Sequence, residues 1–181
     1  MSSASAVESE FRESRHRGFR RVPADFRGTM RWDAELGLSL SYSEPRTQVM
    51  LIRSDAVFQS QRGRSPRRMP SSEESDFLRA ILLDVFRFDR AVWEASFDIV
   101  AEFDEDRWSI LLNPLEDSEV AGMVERIEIS GEADAVRQLE IWRDERSRVE
   151  IEIRDSRTVE QWPESVLREA FFRETEDGEE P

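Results

Sequence analysis

The chain has no cysteine, which removes disulfides, thiol nucleophiles, cysteine-bound zinc and iron–sulfur clusters together. Its one histidine, His16, sits between Arg15 and Arg17. A histidine-based triad or a multi-histidine metal site therefore cannot be built within one chain, and a surface role is expected for His16. Lysine is missing as well: all 26 basic residues are arginine. Glycine is scarce at seven residues, and no phosphate-cradling loop is found. Arg62-Gly63-Arg64 lacks both a second glycine and a strand-to-helix pattern. Ser65 stands in no nucleophile elbow. Asp104-Glu105-Asp106 lacks the turn glycine and the distal glutamate of a calcium loop, so it reads as a solvated turn. Long apolar runs are absent too. Ala80 to Leu83 falls far short of the roughly 20 residues a bilayer helix needs. The opening Met1-Ser-Ser-Ala-Ser-Ala-Val-Glu8 has no basic region and no apolar core, so it is not read as a signal peptide. That leaves a cytosolic protein or a chain whose leader has been removed. No catalytic residue, metal or cofactor is expected.

What is present suits a single well-packed domain of 181 residues. Hydrophobic residues make up 38% and charged residues 36%, and eleven Phe with five Trp argue against disorder. The net charge of −14 is uneven. Residues 1–70 hold 13 Arg against 8 carboxylates, net +5, and residues 71–181 hold 13 Arg against 32, net −19. So negative a total disfavours nucleic acid and anionic membrane surfaces. The two halves are read as lying against each other. The densest basic patch, Arg62, Arg64, Arg67 and Arg68, is a solvated hairpin loop or a docking loop.

Residues 1–10 and 174–181 read as tails, the second acidic, leaving one domain over 11–173. Most of the interior has a period of two. Phe26, Gly28, Met30 and Trp32 alternate with polar residues. So do Leu36, Leu38, Leu40 and Tyr42, while Phe97, Ile99, Ala101 and Phe103 form another face, followed by Trp108, Ile110 and Leu112. Ile127/Ile129, Leu139/Ile141 and Val149/Ile151/Ile153 follow. Val49 to Ile52 is continuously apolar. The connections are too short for crossover helices, so the sheet is antiparallel with one dry face. Ser71-x-x-Glu74 forms a capping box before an apolar stripe of Leu78, Ile81, Leu82 and Val85. Pro163 opens a last helix with Val166, Leu167, Ala170 and Phe171 on one face. The fold class is α+β, mainly β. A sheet this long must curl or split, and if it curls, short helices plug its hollow only partly. Wide aromatics and unbranched Met in such a hollow would suit a flexible apolar ligand, against the competing reading that they simply fill a core.

The runs Phe11-Arg-Glu-Ser-Arg15, Phe19, Phe26-Arg-Gly-Thr-Met-Arg-Trp32, Gly37-Leu-Ser-Leu-Ser-Tyr42-Ser-Glu-Pro45 and Val49-Met-Leu-Ile52 stand in an order that resembles the outer-membrane lipoprotein carrier family. A helical stretch over 71–88, Trp93 to Phe103, Trp108-Ser-Ile-Leu-Leu-Asn-Pro114 and the strands from Ile127 to Ile151 continue the order over about residues 11–155. The resemblance implies a curved antiparallel sheet, an unclosed half-barrel with two to three helices over its concave face. It also implies a periplasmic carrier or chaperone that shields acyl chains of a lipoprotein or other lipid on the way to the outer membrane. The expected partners are lipid or lipoprotein acyl chains, an inner-membrane donor and an outer-membrane acceptor, with no nucleic acid and no membrane span, and a monomer is expected. The expected cavity residues are Met30, Trp32, Leu38, Leu40, Tyr42, Leu51, Phe58, Leu78, Ile81, Leu82, Phe97, Ile99, Trp108, Ile110 and Leu112. The family's lid-clamping arginine falls on Arg46 or Arg53. The alternative is an interaction or sensor domain on the same fold with a filled core.

Overall fold

The computed structural model describes residues 6–19, 21–61, 64–87 and 90–173, with the side chains of 73–75, 77 and 78 left out. Among the described residues, six strands come first: β1 (Ala6–His16), β2 (Ala24–Asp33), β3 (Gly37–Glu44), β4 (Gln48–Ile52), β5 (Val57–Gln61) and β6 (Arg67–Arg68). Helices α1 (Glu73–Arg87) and α2 (Arg90–Ser96) follow. Then come β7 (Phe97–Asp104), β8 (Arg107–Pro114), β9 (Arg126–Glu132), β10 (Ala135–Asp144) and β11 (Ser147–Thr158), and last α3 (Glu164–Ala170).

The strands form one sheet in the order β6-β5-β4-β3-β2-β1-β11-β10-β9-β8-β7, with every named pair antiparallel. It is an open half-barrel whose edges are β6 and β7. Each half is a meander of neighbours, joined by turns except for the longer connections over 17–23 and 115–125. The halves meet where β1 pairs with β11, Phe11 opposite Ile153 and Glu13 opposite Ile151. Because β6 and β7 lie at opposite edges, the chain between them must traverse the sheet. Helices α1 and α2 occupy that connection and pack on the inner face.

Period-two alternation places Phe11, Met30, Trp32, Leu38, Leu40 and Tyr42 on that inner face with Ile127, Ile129, Leu139, Ile151 and Ile153. Helix α1 adds Ile81, Leu83 and Val85, and α2 adds Trp93. Trp32 stacks on Phe86 with ring centroids 5.8 Å apart. A second, smaller core lies on the outer face under α3. It holds Ala6, Leu51, Trp162, Ala170 and Phe171, with Leu36, Phe58, Val166 and Leu167 against it. The buried Ser39 hydroxyl donates to the Ala170 carbonyl at 2.8 Å, and Trp162 Nε1 donates to Asp33 at 2.8 Å, tying α3 to the sheet.

Several expectations need correction. The first tail drawn at 1–10 ends too late: β1 begins at Ala6, where the buried Ala6 and Ser9 pack into the sheet. The second tail, 174–181, lies outside the described residues. Helix α1 starts at Glu73 and the Ser71 hydroxyl bonds the Asp76 carboxylate, while the Glu74 side chain, the other half of the expected capping box, lies outside the described residues. Pro163 sits at the N-cap of α3, one position before the helix.

Candidate functional site

A cavity of about 880 Å³ lies between the inner face of the sheet and α1. Its apolar lining comes from Leu40, Met50, Ile52, Ala56 and Val57 on one side and from Ile141, Val149 and Ile151 on the other, with Leu82 of α1 and Met123 completing it. Register explains the set. Leu40 is opposite Met50, Ile52 is opposite Val57, and Ile141 is opposite Val149, so these side chains share one face of consecutive strands.

Glu13 interrupts this apolar surface. It is 4% exposed, yet charged groups are rarely buried unless paired. Its pairing is complete on both oxygens. The Tyr42 hydroxyl donates to Oε2 at 2.7 Å, and Arg15 Nε donates to Oε1. The Arg15 guanidinium also lies 4.4 Å above the Phe26 ring. Tyr42 is held edge-on between Phe11 and Phe26, with centroids at 5.3 and 5.8 Å. Burial and the adjacent Glu13 carboxylate push the Tyr42 phenol well above its usual range. Burial opposes the Arg15 charge, but the bond to Glu13 outweighs it and raises Arg15. The three side chains form a closed polar knot within the cavity wall.

The outer face of β1, β10 and β11 is wet and laced with ion pairs. Arg31 donates to Glu8 at 2.7 Å, with Arg157 on the same carboxylate. Burial disfavours the Glu8 charge, but these two arginines outweigh it and hold Glu8 below the usual carboxylate range. Trp142 lies beneath Arg126 at 4.0 Å and Arg148 at 4.5 Å. Glu150 stands 3.6 Å from His16.

Of the expected cavity residues, Leu40, Tyr42 and Leu82 line the space. Met30, Trp32, Leu38, Ile81, Phe97, Trp108 and Leu112 share the inner face but are packed into the core, with Ile99 and Ile110 partly buried against it. Leu51 and Phe58 are corrected: they pair with each other on the outer face, in the core under α3. The continuous run Val49 to Ile52 concealed this, because β4 is covered on both faces and shows no alternation. The Leu78 side chain lies outside the described residues. Arg53 pairs with Asp55 at 3.6 Å in the β4–β5 turn, Arg46 is exposed in the β3–β4 turn, and neither lines the cavity.

Sequence reasoning missed Glu13 and Arg15. The signal was there: Phe11, Glu13 and Arg15 share one face of a strand, so a carboxylate on an apolar face called for a partner. It also left out Met50, Ile52, Ile141, Val149 and Ile151 as lining, although all sit in runs marked apolar, and Val57, which no marked run contains. Among the described residues, no group of three or more His, Asp or Glu is placed to hold a metal ion, and no helix is long and apolar enough to cross a membrane.

No curated protein matches the sequence. A DUF1329 family protein from Desulfovibrio piger superposes with a TM-score of 0.50 at 12% identity, covering 92% of this chain and 90% of its own. A LolA superfamily protein from Nitrosomonas europaea gives 0.43 at 9% identity, with 90% of each chain covered. A domain assigned to outer-membrane lipoprotein sorting from Vibrio parahaemolyticus gives 0.41 at 6% identity, covering 90% of this chain and 89% of its own. The likeness to the Desulfovibrio piger protein is one of fold. The family model described as outer membrane lipoprotein carrier protein LolA-like matches residues 1–149, and the chain belongs to that family.

Proposed function

We propose that the protein is a carrier that shields the acyl chains of a lipid or lipoprotein in the inner-face cavity. In this reading it works in the periplasm, between an inner-membrane donor and an outer-membrane acceptor. The observation that carries the reading is the cavity itself: about 880 Å³, floored by Leu40, Met50, Ile52, Val57 and Leu82 and closed by Ile141, Val149 and Ile151. That volume falls within the roughly 300–1,000 Å³ of small-molecule sites. Each CH₂ moved from water into such a lining gains about 0.8 kcal/mol, so an acyl chain is held by apolar area alone and no catalytic group is required. Family membership supports the same direction.

A second reading has its own support. Much of the inner face is filled, with Trp32 stacked on Phe86 and Ile81, Leu83 and Val85 buried. An interaction domain with a filled core would look like that outside the cavity. Native mass spectrometry after gentle purification separates the two: copurified lipid supports the carrier, an empty mass the filled core. A fluorescent fatty acid should also bind with an affinity on the order of tens of micromolar or better. Absence of binding by a protein with a folded circular-dichroism spectrum sinks the carrier reading.

A further inference from the structure

We infer that Met50, Met69 and Met123 make the cavity an oxidant-sensitive site: a peroxide converts these side chains to sulfoxides, and the oxidised cavity no longer takes up an apolar chain. The inference rests on the carrier reading and adds a modification site that regulates it.

The chain has no cysteine, so methionine supplies its only sulfur. Of its five methionines, Met1 lies outside the described residues and Met30 is 2% exposed in the inner-face core. The other three all line the cavity and all are half-buried. They reach it from separate parts of the fold. Met50 is on β4, opposite Leu40. Met69 follows β6, and its N–H donates to the Val57 carbonyl at 2.8 Å, holding it beside β5. Met123 lies in the connection over 115–125, which is tied to β10 where the Glu125 N–H donates to the Trp142 carbonyl at 2.7 Å. Three thioethers from three segments thus converge on one space. An unbranched thioether adapts its shape to a flexible chain, which suits an apolar cargo.

The same sulfurs are open to attack. Pro70 and Ser71 beside Met69, and Gly122 beside Met123, line the cavity and are exposed, so its mouth lies at two of the three methionines. A small oxidant enters where a lipid enters. One oxygen of hydrogen peroxide passes to a sulfur lone pair, the O–O bond breaks, and the other oxygen leaves as water with both protons. Sulfur gives up two electrons and the peroxide accepts them. The product carries a polar S–O group that holds water by hydrogen bonding. Set among Leu40, Ile52 and Val57, it obliges an entering acyl chain to strip water from a polar atom, which opposes binding. Methionine sulfoxide reductases reverse the reaction, so the change acts as a switch.

The test treats the folded protein with hydrogen peroxide, removes the peroxide with catalase and titrates the neutral fluorescent probe N-phenyl-1-naphthylamine. Peptide mass spectrometry should find Met50, Met69 and Met123 each heavier by one oxygen while Met30 is unmodified. Probe affinity should fall at least about tenfold, and return after incubation with methionine sulfoxide reductases for both sulfoxide epimers. The variant Met50→Leu/Met69→Leu/Met123→Leu is compared with its own untreated form. Whatever affinity it starts from, peroxide should change that affinity by less than about twofold. Oxidation of Met30 as fast as the other three, or full oxidation of the three with probe binding unchanged, overturns the inference and leaves the carrier reading intact. So does a loss of binding that the leucine variant shares, or one accompanied by a lost circular-dichroism spectrum, because its cause is then not the lining. An untreated protein that fails to bind the probe overturns the carrier reading itself, and the inference with it.

Discussion

Tyr42 is the only tyrosine in the chain, so its ionisation can be followed without interference from another phenol. The residue is 3% exposed, and its hydroxyl donates to the buried Glu13 carboxylate at 2.7 Å. Burial disfavours the phenolate, and a neighbouring carboxylate repels it further. In the unfolded chain the phenol loses its proton near pH 10. In the folded protein it keeps it. Above pH 10 the folded state therefore binds more protons than the unfolded one, and stability falls as pH rises. The contribution lost by pH 11 is about 1.4 kcal/mol. Ultraviolet difference titration should show no phenolate in the folded protein through pH 11, and a midpoint near 10 in denaturant. Tyr42→Phe should flatten the alkaline arm of the stability curve. At neutral pH the same variant removes a hydrogen bond to a charged, buried acceptor, costing about 2 kcal/mol. In a domain of this size that lowers the melting temperature by roughly 4–8 °C. The ring remains to pack against Phe11 and Phe26, so the loss belongs to the hydroxyl. A folded-state midpoint close to 10, or a melting temperature unchanged within about 1 °C, refutes the reasoning.

Other perturbations reach different parts of the fold. Gly131→Val drives a side chain into the Trp108 ring and the Ala135 carbonyl, so it should destabilise by about 2–3 kcal/mol and shift tryptophan emission to longer wavelength; unaltered emission counts against the packing described. Phe86→Ala removes the ring stacked on Trp32 and should cost about 3–5 kcal/mol in denaturant unfolding, a loss that a helix merely resting on the sheet would not show. Leu82→Asp puts a charge into the cavity wall and should weaken fatty-acid binding at least about tenfold before the fold is lost; unchanged uptake removes α1 from the cavity wall.

The sequence by itself determined most of the sheet. Alternation at Met30/Trp32, Leu38/Leu40/Tyr42 and Val149/Ile151/Ile153 depends only on the strand's own geometry, which sends successive side chains to opposite faces. Short connections likewise dictated antiparallel pairing. Strand number left the sheet to curl or split; that it stays unclosed with helices over its concave face was what the family resemblance implied. What lay beyond the sequence were relations between distant segments. Leu51 and Phe58 went to the outer face because α3 covers β4 from behind, and a strand buried on both sides shows no alternation to read. Residues 6–10 entered the sheet because β11 and β2 flank them, a pairing that no local pattern encodes. Glu13 could be buried only because Tyr42, 29 residues away, and Arg15 meet its two oxygens. The division of the inner face into a filled core and a cavity was likewise a tertiary outcome. The chain has to cross from β6 to β7, and the path of α1 and α2 across the hollow decides which inward side chains are packed and which are left to line a space.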